Sequence, residues 1–337
     1  MSVENEEEDY SPSDVDSRLK LKAETVTLKV PISLSGSRLD QVLAALLPAY
    51  SRSRLAGLAK DGFVTVDGKT VPPKTKLFGG EEIVVSLEPR DDEAAYLPED
   101  IPLNVLFEDD AVMVLDKPAG LVVHPGAGNW RGTLLNGLLF RNPDVAQVPR
   151  AGIVHRLDKD TSGVMVVAKT EAAQLSLVRQ LQARTVRRIY VALVRGHIPQ
   201  EGSVEKPIGR HPHLRTKMAV LDDEFSHNGK SAVTHYRALQ RFARHSLVEC
   251  RLETGRTHQI RVHLQSIGFS VEGDPVYSPA ARGEDAITRE VVKKFGRQAL
   301  HARTLTFDHP DSGESISIEA PIPNDLRELI DFVATLD

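Results

Sequence analysis

The sequence has one cysteine, few aromatic residues and no long apolar run. Because Cys250 is alone among 337 residues, the chain can form neither an internal disulfide nor a cysteine-cluster metal site. No apolar stretch approaches the length that crosses a bilayer, and the acidic, polar N-terminus is unlike a signal peptide. These absences exclude a disulfide scaffold and a membrane-spanning protein. We expect a cytoplasmic protein with no membrane partner.

The net charge of −5 hides an uneven distribution along the chain. Residues 1–16 hold seven acidic residues and no lysine or arginine, and the remaining chain has 42 basic against 40 acidic residues. Residues 179–217 carry nine lysines and arginines against two glutamates. A local basic face suits phosphate binding. On charge alone, a solvated surface is the simpler interpretation.

Composition and periodicity divide the chain into a small N-terminal unit and a larger C-terminal one. Residues 1–30 indicate a disordered acidic tail, because they have little apolar surface to bury. Residues 37–90 predict a small domain of two short helices and a few strands, and the acidic residues 91–100 predict a linker. The first helix is indicated by apolar residues at helical spacing, which are Leu39, Val42, Leu43 and Leu46.

Residues 101–337 are dense in short apolar or alternating runs. The runs that predict strands are 111–115, 153–154, 164–168, 189–194, 234–240, 247–252 and 315–320. Helices are indicated over residues 170–184 and from about Thr257. Because strands outnumber helices and do not alternate with them regularly, we predict the α+β class with a mixed or antiparallel sheet.

The most unusual segment is the polar loop at residues 154–163, which reads VHRLDKDTSG. It holds two carboxylates, two full cations and a histidine between apolar strands. Loops held on a rigid sheet often carry chemistry. From the residues alone, an Asx turn before Gly163 is the simpler explanation for Asp158 and Asp160.

Several motifs in a fixed order resemble the family of pseudouridine synthases related to ribosomal large-subunit synthases A, C and D. The polar loop is similar to the family's HRLD active-site loop, and residues 38–87 resemble an S4 RNA-binding domain. The other matching segments are 116–125 (DKPAGLVVHP), 188–190 (RIY), 254–263 (TGRTHQIRVH), 273–277 (GDPVY) and 300–302 (LHA). Any one motif is a weak signal, but their number and order make coincidence a poor explanation.

The resemblance implies a pseudouridine synthase catalytic domain at residues 101–337, preceded by a small S4-like α/β domain at residues 37–90. Segments 207–212 and 295–300 are similar to the family's D branch, whose members modify helix 69 of large-subunit ribosomal RNA. RNA, as 23S rRNA or pre-50S particles, is therefore the implied partner. Ser278 departs from the glycine usual in the family, but it lies outside the presumed site.

The resemblance also assigns roles to residues. It makes Asp158 the catalytic carboxylate, acting as a covalent nucleophile or as a base that removes a sugar proton. Arg261 is its ion-pair partner, and Tyr190 stacks on the base. Arg156 fills the gap that a flipped-out nucleotide leaves. Without the resemblance, a surface arginine and a packing tyrosine would be the simpler interpretations of Arg261 and Tyr190.

Basic residues of the S4-like unit are expected to contact RNA phosphates without reading sequence. They are Arg52, Arg54, Lys60, Lys69, Lys74 and Lys76, and for each one a solvated helix or loop surface explains the charge equally well. His155 and Lys159 are further possible RNA contacts, but not catalysts.

No cofactor is expected, because uridine isomerisation has no redox step. No metal is expected either, since no HExxH motif occurs and His258 and His263, five residues apart, lie on different faces of a helix. Three alternatives stay open: a non-catalytic RNA-binding ribosome-assembly factor, a synthase for another rRNA stem or a tRNA, and a metal-dependent hydrolase that uses Asp158, Asp160 and nearby histidines. We expect a monomer.

Overall fold

The structure, a computed structural model, describes residues 24–87, 94–126, 128–214, 217–221, 229–278 and 286–336. The chain divides into two compact units, one ending at Ala95 and the other beginning at Tyr96. No helix within the described ranges is long and apolar enough to cross a membrane.

The N-terminal unit packs two helices against a four-stranded antiparallel sheet. The helices are α1 (Leu39–Leu46) and α2 (Arg52–Lys60), and the strands are β1 (Glu24–Lys29), β2 (Val64–Val66), β3 (Lys69–Thr70) and β4 (Glu82–Leu87), in the order β1-β4-β2-β3. Leu43 and Leu55 of the helices share a buried cluster with Val64 and Ile83 of the sheet. The unit therefore has its own hydrophobic core.

The expected tail over residues 1–30 extends too far, because β1 lies within it. β1 pairs with β4 along its whole length, from Glu24 opposite Leu87 to Lys29 opposite Glu82. Alternating threonine and apolar residues in ETVTLK suit a sheet with one covered face. The acidic composition of the preceding residues concealed this short segment. Residues 1–23 lie outside the described ranges.

The C-terminal unit is built on one large sheet with helices around it. Its strands are β5 (Asn104–Glu108), β6 (Val112–Lys117), β7 (Ser162–Ala168), β8 (Arg187–Arg195), β9 (Glu201–Glu205), β10 (Ile208–Arg210), β11 (Met218–Val220), β12 (Val233–Arg241), β13 (His245–Leu252), β14 (Leu300–Asp308) and β15 (Ser315–Glu319). Its helices are α3 (Leu134–Arg141), α4 (Glu171–Ala183), α5 (Gln259–Ser266), α6 (Ala286–Phe295) and α7 (Asn324–Ala334). Short 3-10 turns lie at Ile32–Leu34 in the first unit and at Ala94–Tyr96, Pro143–Gln147 and Pro149–Gly152.

Nine of these strands form the large sheet, in the order β5-β6-β7-β14-β8-β13-β12-β9, with β15 paired to β14. Among them only β7 and β14 run parallel, and the other pairs are antiparallel. β10 and β11 form a separate hairpin. The predicted α+β class with a mixed sheet is confirmed. Of the predicted strands, residues 153–154 supply only a single bridge from Ile153 to Val167.

The centre of the large sheet brings together the segments that the sequence singled out. Every residue of β7 is buried, as expected of a strand covered on both faces. The polar loop leads directly into β7, where His301 of β14 pairs with Ser162. β14 in turn pairs with β8, placing Ala302 opposite Tyr190. The polar loop and Tyr190 are therefore separated by one strand.

A glycine allows the polar loop to enter this tightly packed strand. Gly163 has a φ of 117°, and a Cβ there would lie 2.1 Å from the Ala302 carbonyl oxygen. We expect Gly163→Ala to lower the free energy of unfolding by about 3 kcal/mol or more, because backbone strain and overlap add. Urea titration followed by circular dichroism measures this change.

The control is Gly313→Ala, where φ is 73° and a Cβ would meet nothing within 4 Å. It carries the backbone strain alone, so a loss of about 1 kcal/mol is expected. If the two substitutions destabilise the protein equally, the close approach to β14 does not matter.

Candidate active site

A cleft of about 1120 Å³ opens in the C-terminal unit beside the polar loop. Its walls come from the polar loop, from β8 and from the segment that leads into α5. Its described lining has only two carboxylates, those of Asp158 and Glu253, against seven full cations: Arg150, Arg156, Lys159, Arg184, Arg188, Arg256 and Arg261. The excess of positive charge suits a polyanionic ligand.

Asp158 lies in this cleft and forms an ion pair with Arg261. Nη1 of Arg261 donates to Oδ2 of Asp158 at 2.9 Å. The Asp158 side chain keeps 19% of its surface exposed, whereas that of Arg261 keeps only 5%. The backbone N–H of Thr161 donates to the Asp158 carbonyl and closes a turn. The carboxylate is thus held at one oxygen and open to the cleft.

Arg261 is itself fixed by a second carboxylate behind it. Its Nε and Nη2 donate to the two oxygens of buried Asp274, at 2.6 and 2.9 Å. Asp274 Oδ1 also accepts from the backbone N–H groups of Val276 and Tyr277. Burial alone would raise the pKa of Asp274, but the Arg261 guanidinium and these amides lower it. The arrangement leaves Nη1 as the donor directed at Asp158.

His258 faces the other oxygen of Asp158. Its Nε2 lies 3.9 Å from Asp158 Oδ1, and its Nδ1 lies 2.7 Å from the Tyr277 hydroxyl. That hydroxyl accepts from the Met218 N–H, so its own proton is free to donate to Nδ1. Burial lowers the pKa of His258, although Asp158 opposes the shift. When the Tyr277 hydroxyl donates to Nδ1, a neutral His258 ring carries its proton on Nε2, on the side of Asp158.

Tyr190 forms part of the cleft wall on β8. It is 7% exposed, and burial raises the pKa of its phenol to about 12. Asp158 adds to this shift through its negative charge. The phenol therefore stays protonated near neutral pH and offers an aromatic ring to the cleft.

Lys117 ties the polar loop to the preceding strand and loop. It is 1% exposed, and its Nζ donates to the carbonyls of Pro118, Leu121 and Lys159 at 2.7, 2.9 and 3.0 Å. All three ammonium protons thus serve backbone groups. The residue is a support for the loop beside Asp158.

His155 and Arg297 hold the two ends of the same loop. The Val166 N–H donates to His155 Nε2 at 3.1 Å, and burial lowers the pKa of His155 to about 3, so the ring stays neutral. Arg297 donates to the Asp160 carbonyl while it binds both oxygens of Asp325. His155, expected as a possible RNA contact, uses Nε2 inside the fold and also lines the cleft.

Arg156 and Lys159 are the exposed residues of the loop, and both line the cleft. Arg156 makes no hydrogen bond or ion pair with any residue in the described ranges. Its guanidinium is therefore available to a ligand.

The basic residues of the N-terminal unit are not equally available. Arg52 donates to Asp40 from Nε and Nη2, at 3.1 and 2.8 Å, but Arg38 binds the same carboxylate, so Asp40 offsets only part of the Arg52 charge. Arg54 lies over the ring of Tyr50 at 4.8 Å. The remaining four, Lys60, Lys69, Lys74 and Lys76, are exposed.

The part of the chain that the structure describes contains no cluster of three or more histidine, cysteine, aspartate or glutamate side chains suited to a metal ion. His263, which was weighed with His258 as a possible metal ligand, uses both ring nitrogens in contacts within the fold. Its ring nitrogens lie 2.9 Å from the Thr234 hydroxyl and 3.0 Å from the Lys206 carbonyl.

Comparisons with known proteins identify both units. A family model described as RNA pseudouridylate synthase matches residues 111–266, and one described as S4 domain matches residues 37–83. A protein of Neisseria meningitidis serogroup B named ribosomal large subunit pseudouridine synthase D is 55% identical over 328 residues, covering 96% of this chain and 86% of that protein. A protein of the same name from Nitrosomonas europaea is 53% identical, covering 93% and 89%.

A solved structure with the same kind of catalytic unit is human RNA Pseudouridylate Synthase Domain Containing 4. It is 27% identical, with a TM-score of 0.54, and covers 67% of this chain and 93% of that chain. The segment matched by the catalytic family model contains Asp158, Tyr190 and Arg261.

Removal of Asp274 tests whether the buried guanidinium depends on it. We expect Asp274→Ala to lower the free energy of unfolding by about 3–5 kcal/mol, because Arg261 would keep a buried charge with only one partner. Glu319→Ala, which breaks the exposed pair with Arg303, should cost under about 1 kcal/mol. Chemical denaturation of both variants provides the comparison, and a small, equal loss would contradict the structural role of Asp274.

Proposed function

The chain belongs to the RNA pseudouridylate synthases, and from this premise we propose that it isomerises uridine to pseudouridine in the RNA of the large ribosomal subunit. The names of its relatives, ribosomal large subunit pseudouridine synthase D, support that RNA class. Within it we propose helix 69 of 23S rRNA, free or in pre-50S particles, as the target. The observation that carries the proposal is the Asp158–Arg261 ion pair in a basic cleft.

The reaction breaks the N1–C1′ bond of uridine, turns the base and joins C5 to C1′. The proton on C5 is released and N1 takes up a proton, so the product is an isomer of uridine and no electrons are gained or lost overall. We assign the carboxylate to Asp158, as a nucleophile or as the base that removes a sugar proton, since both routes need an ionised group beside the nucleotide. Arg261 orients this group and stabilises its negative charge.

Tyr190 and Arg156 are proposed to hold the nucleotide in place. The protonated phenol of Tyr190 gives the base a ring to stack on within the cleft. A base in a stem must leave it to reach such a pocket, at a cost of about a few kcal/mol. The exposed guanidinium of Arg156 can stack in the vacated position and offset part of that cost.

The S4 unit is proposed to add affinity through phosphate contacts. Its exposed lysines, Lys60 and Lys74 among them, suit this better than Arg52, whose guanidinium is already hydrogen-bonded to Asp40. Such binding weakens as salt rises. A ribosomal RNA substrate implies a cytoplasmic location. We propose that the protein acts as a monomer.

Two rivals explain less of the site. A non-catalytic RNA-binding assembly factor has no need for a carboxylate that Arg261 holds at one oxygen and that is otherwise open to the cleft. A hydrolase using Asp158 and Asp160 requires a metal cluster, and none occurs among the described residues.

The direct test uses an RNA stem-loop with tritium at C5 of uridine, because forming the new C–C bond expels that atom. We expect wild-type protein to release the label and Asp158→Asn to lose at least about 10⁴-fold in rate while still binding RNA, since removal of a residue on which the chemistry depends costs this order. The control is Asp160→Asn, the same change two residues away and outside the cleft lining. It should keep the wild-type rate within about threefold.

Two results would reject the assignment: equal release by Asp158→Asn and wild type, or no release from any ribosomal or transfer RNA. The target is tested in the same assay, with a helix 69 stem-loop compared with other stems of 23S rRNA and with tRNA. Preferential release from another stem would contradict helix 69 as the target but would still support pseudouridine synthase activity.

Base flipping by Arg156 predicts a loss that depends on the RNA. Arg156→Ala should reduce the rate by about tenfold or more on an RNA whose target uridine is paired, because the stacking guanidinium is gone. On a matched RNA whose target uridine is already unpaired, the loss should be much smaller. Arg179→Ala, an exposed charge outside the cleft lining, controls for net charge. Equal losses on both RNAs would rule out the role.

A further inference from the structure

Arg188 is a buried arginine in the cleft wall with no carboxylate partner. It is 7% exposed and lines the cleft. Its Nη2 donates to the backbone carbonyl of Glu253 at 3.2 Å. Its Nε is buried and has no hydrogen-bond partner in the described part of the chain.

The other buried arginines among the described residues each have a carboxylate that offsets their positive charge. Arg261 binds both oxygens of Asp274, and Arg297 binds both oxygens of Asp325. A buried guanidinium without such a partner is costly, because it loses water without gaining an opposite charge.

The nearby carboxylate of Glu253 does not supply the missing charge. Its oxygens are engaged by His235 Nε2 at 2.6 Å and by Arg184 Nη1 at 3.3 Å. Arg188 contacts only the backbone of Glu253. The positive charge of Arg188 is therefore left for something that enters the cleft.

The position of Arg188 places it beside the reacting nucleotide in the proposed function. Arg188 and Tyr190 are two apart on β8, so both project from the same face, and both line the cleft. A Cβ at Gly255 would lie 2.7 Å from Arg188 Nη1, so the glycine leaves the space that the guanidinium occupies. Arg256, which follows Gly255 in the chain, also lines the cleft.

We propose that Arg188 binds a phosphate group of the substrate RNA next to the flipped uridine, which supplies the absent counterion. The inference rests on the proposed function, since it takes RNA as the occupant of the cleft. A phosphate carries a full negative charge and accepts from guanidinium N–H groups in a bidentate manner. A uracil carbonyl is neutral and would leave the buried charge uncompensated.

The first experiment measures tritium release against RNA concentration for Arg188→Met and for Arg187→Met. Arg187 precedes Arg188 on β8, is exposed and projects from the opposite face of the sheet. Arg187→Met therefore removes the same charge as Arg188→Met but from outside the cleft. We expect Arg188→Met to raise the half-saturating RNA concentration about 10- to 100-fold, the range for a charge-assisted contact. Arg187→Met should change it less than about threefold. If both variants raise the half-saturating concentration equally, Arg188 contributes only to the overall positive charge, and the inference is overturned.

The second experiment replaces single phosphates around the target uridine with neutral methylphosphonates. One position should weaken the wild-type protein about as much as Arg188→Met does, and the same replacement should add little to that variant, because the two changes remove one interaction. Additive losses at every position would overturn the inference.

Thermal unfolding will show whether Arg188→Met is folded. If it is not, the methylphosphonate series on the wild-type protein still tests the phosphate contact. If no flanking methylphosphonate weakens wild-type binding more than about twofold, no phosphate contact exists and Arg188 has another role. Arg188→Lys keeps the charge without the fork, so it should bind more weakly than wild type and stay sensitive to the same phosphate. Absence of tritium release by wild type would instead refute the proposed function itself.

Discussion

One guanidinium shared between two carboxylates organises the cleft. Arg261 donates to Asp274 from Nε and Nη2 and to Asp158 from Nη1, and Asp274 also accepts from two backbone amides. A buried ion pair of this kind adds little net stability, but its geometry is strict and breaking it is costly. The orientation of Asp158 is therefore set by residues more than a hundred positions away in the chain. Proximity and orientation of this kind are what a carboxylate needs to meet a bound nucleotide.

The large sheet holds the loop that carries Asp158 in a fixed position at the cleft. The polar loop enters the fully buried strand β7, and Lys117 and Arg297 fasten its carbonyl groups from either side. With its backbone groups satisfied internally, the loop has few alternative conformations. The side chains of Arg156, Asp158 and Lys159 line the cleft, and Asp158 is paired there with Arg261. Rigid support and a few polar groups in the cleft together suit a pocket that receives a charged polymer and acts on one of its bases.

Much of this could be predicted from the sequence, and the failures have physical causes. The α1 stripe and most strands of the large sheet were found because their apolar periodicity is local. β1 was missed since its six residues adjoin an acidic tail, and α7 was missed although Leu326, Leu329 and Val333 follow helical spacing. The pairing of Asp158 with Arg261 came from family resemblance. No pattern in one sequence reveals contacts between distant segments, and on such contacts depend the roles of Asp274, His258 and Arg188. The hydrogen bonds between Arg52 and Asp40 are also contacts between separate segments.

The most direct test is a crystal structure of the Asp158→Asn variant bound to a stem-loop RNA that contains the target uridine. The account predicts that this uridine lies outside the stem, with its base against Tyr190, its ribose in contact with residue 158 at about 3–3.5 Å, and the Arg156 guanidinium in the vacated position. A uridine that stays stacked in its stem, or a nucleotide that occupies the cleft without touching residue 158, would contradict it.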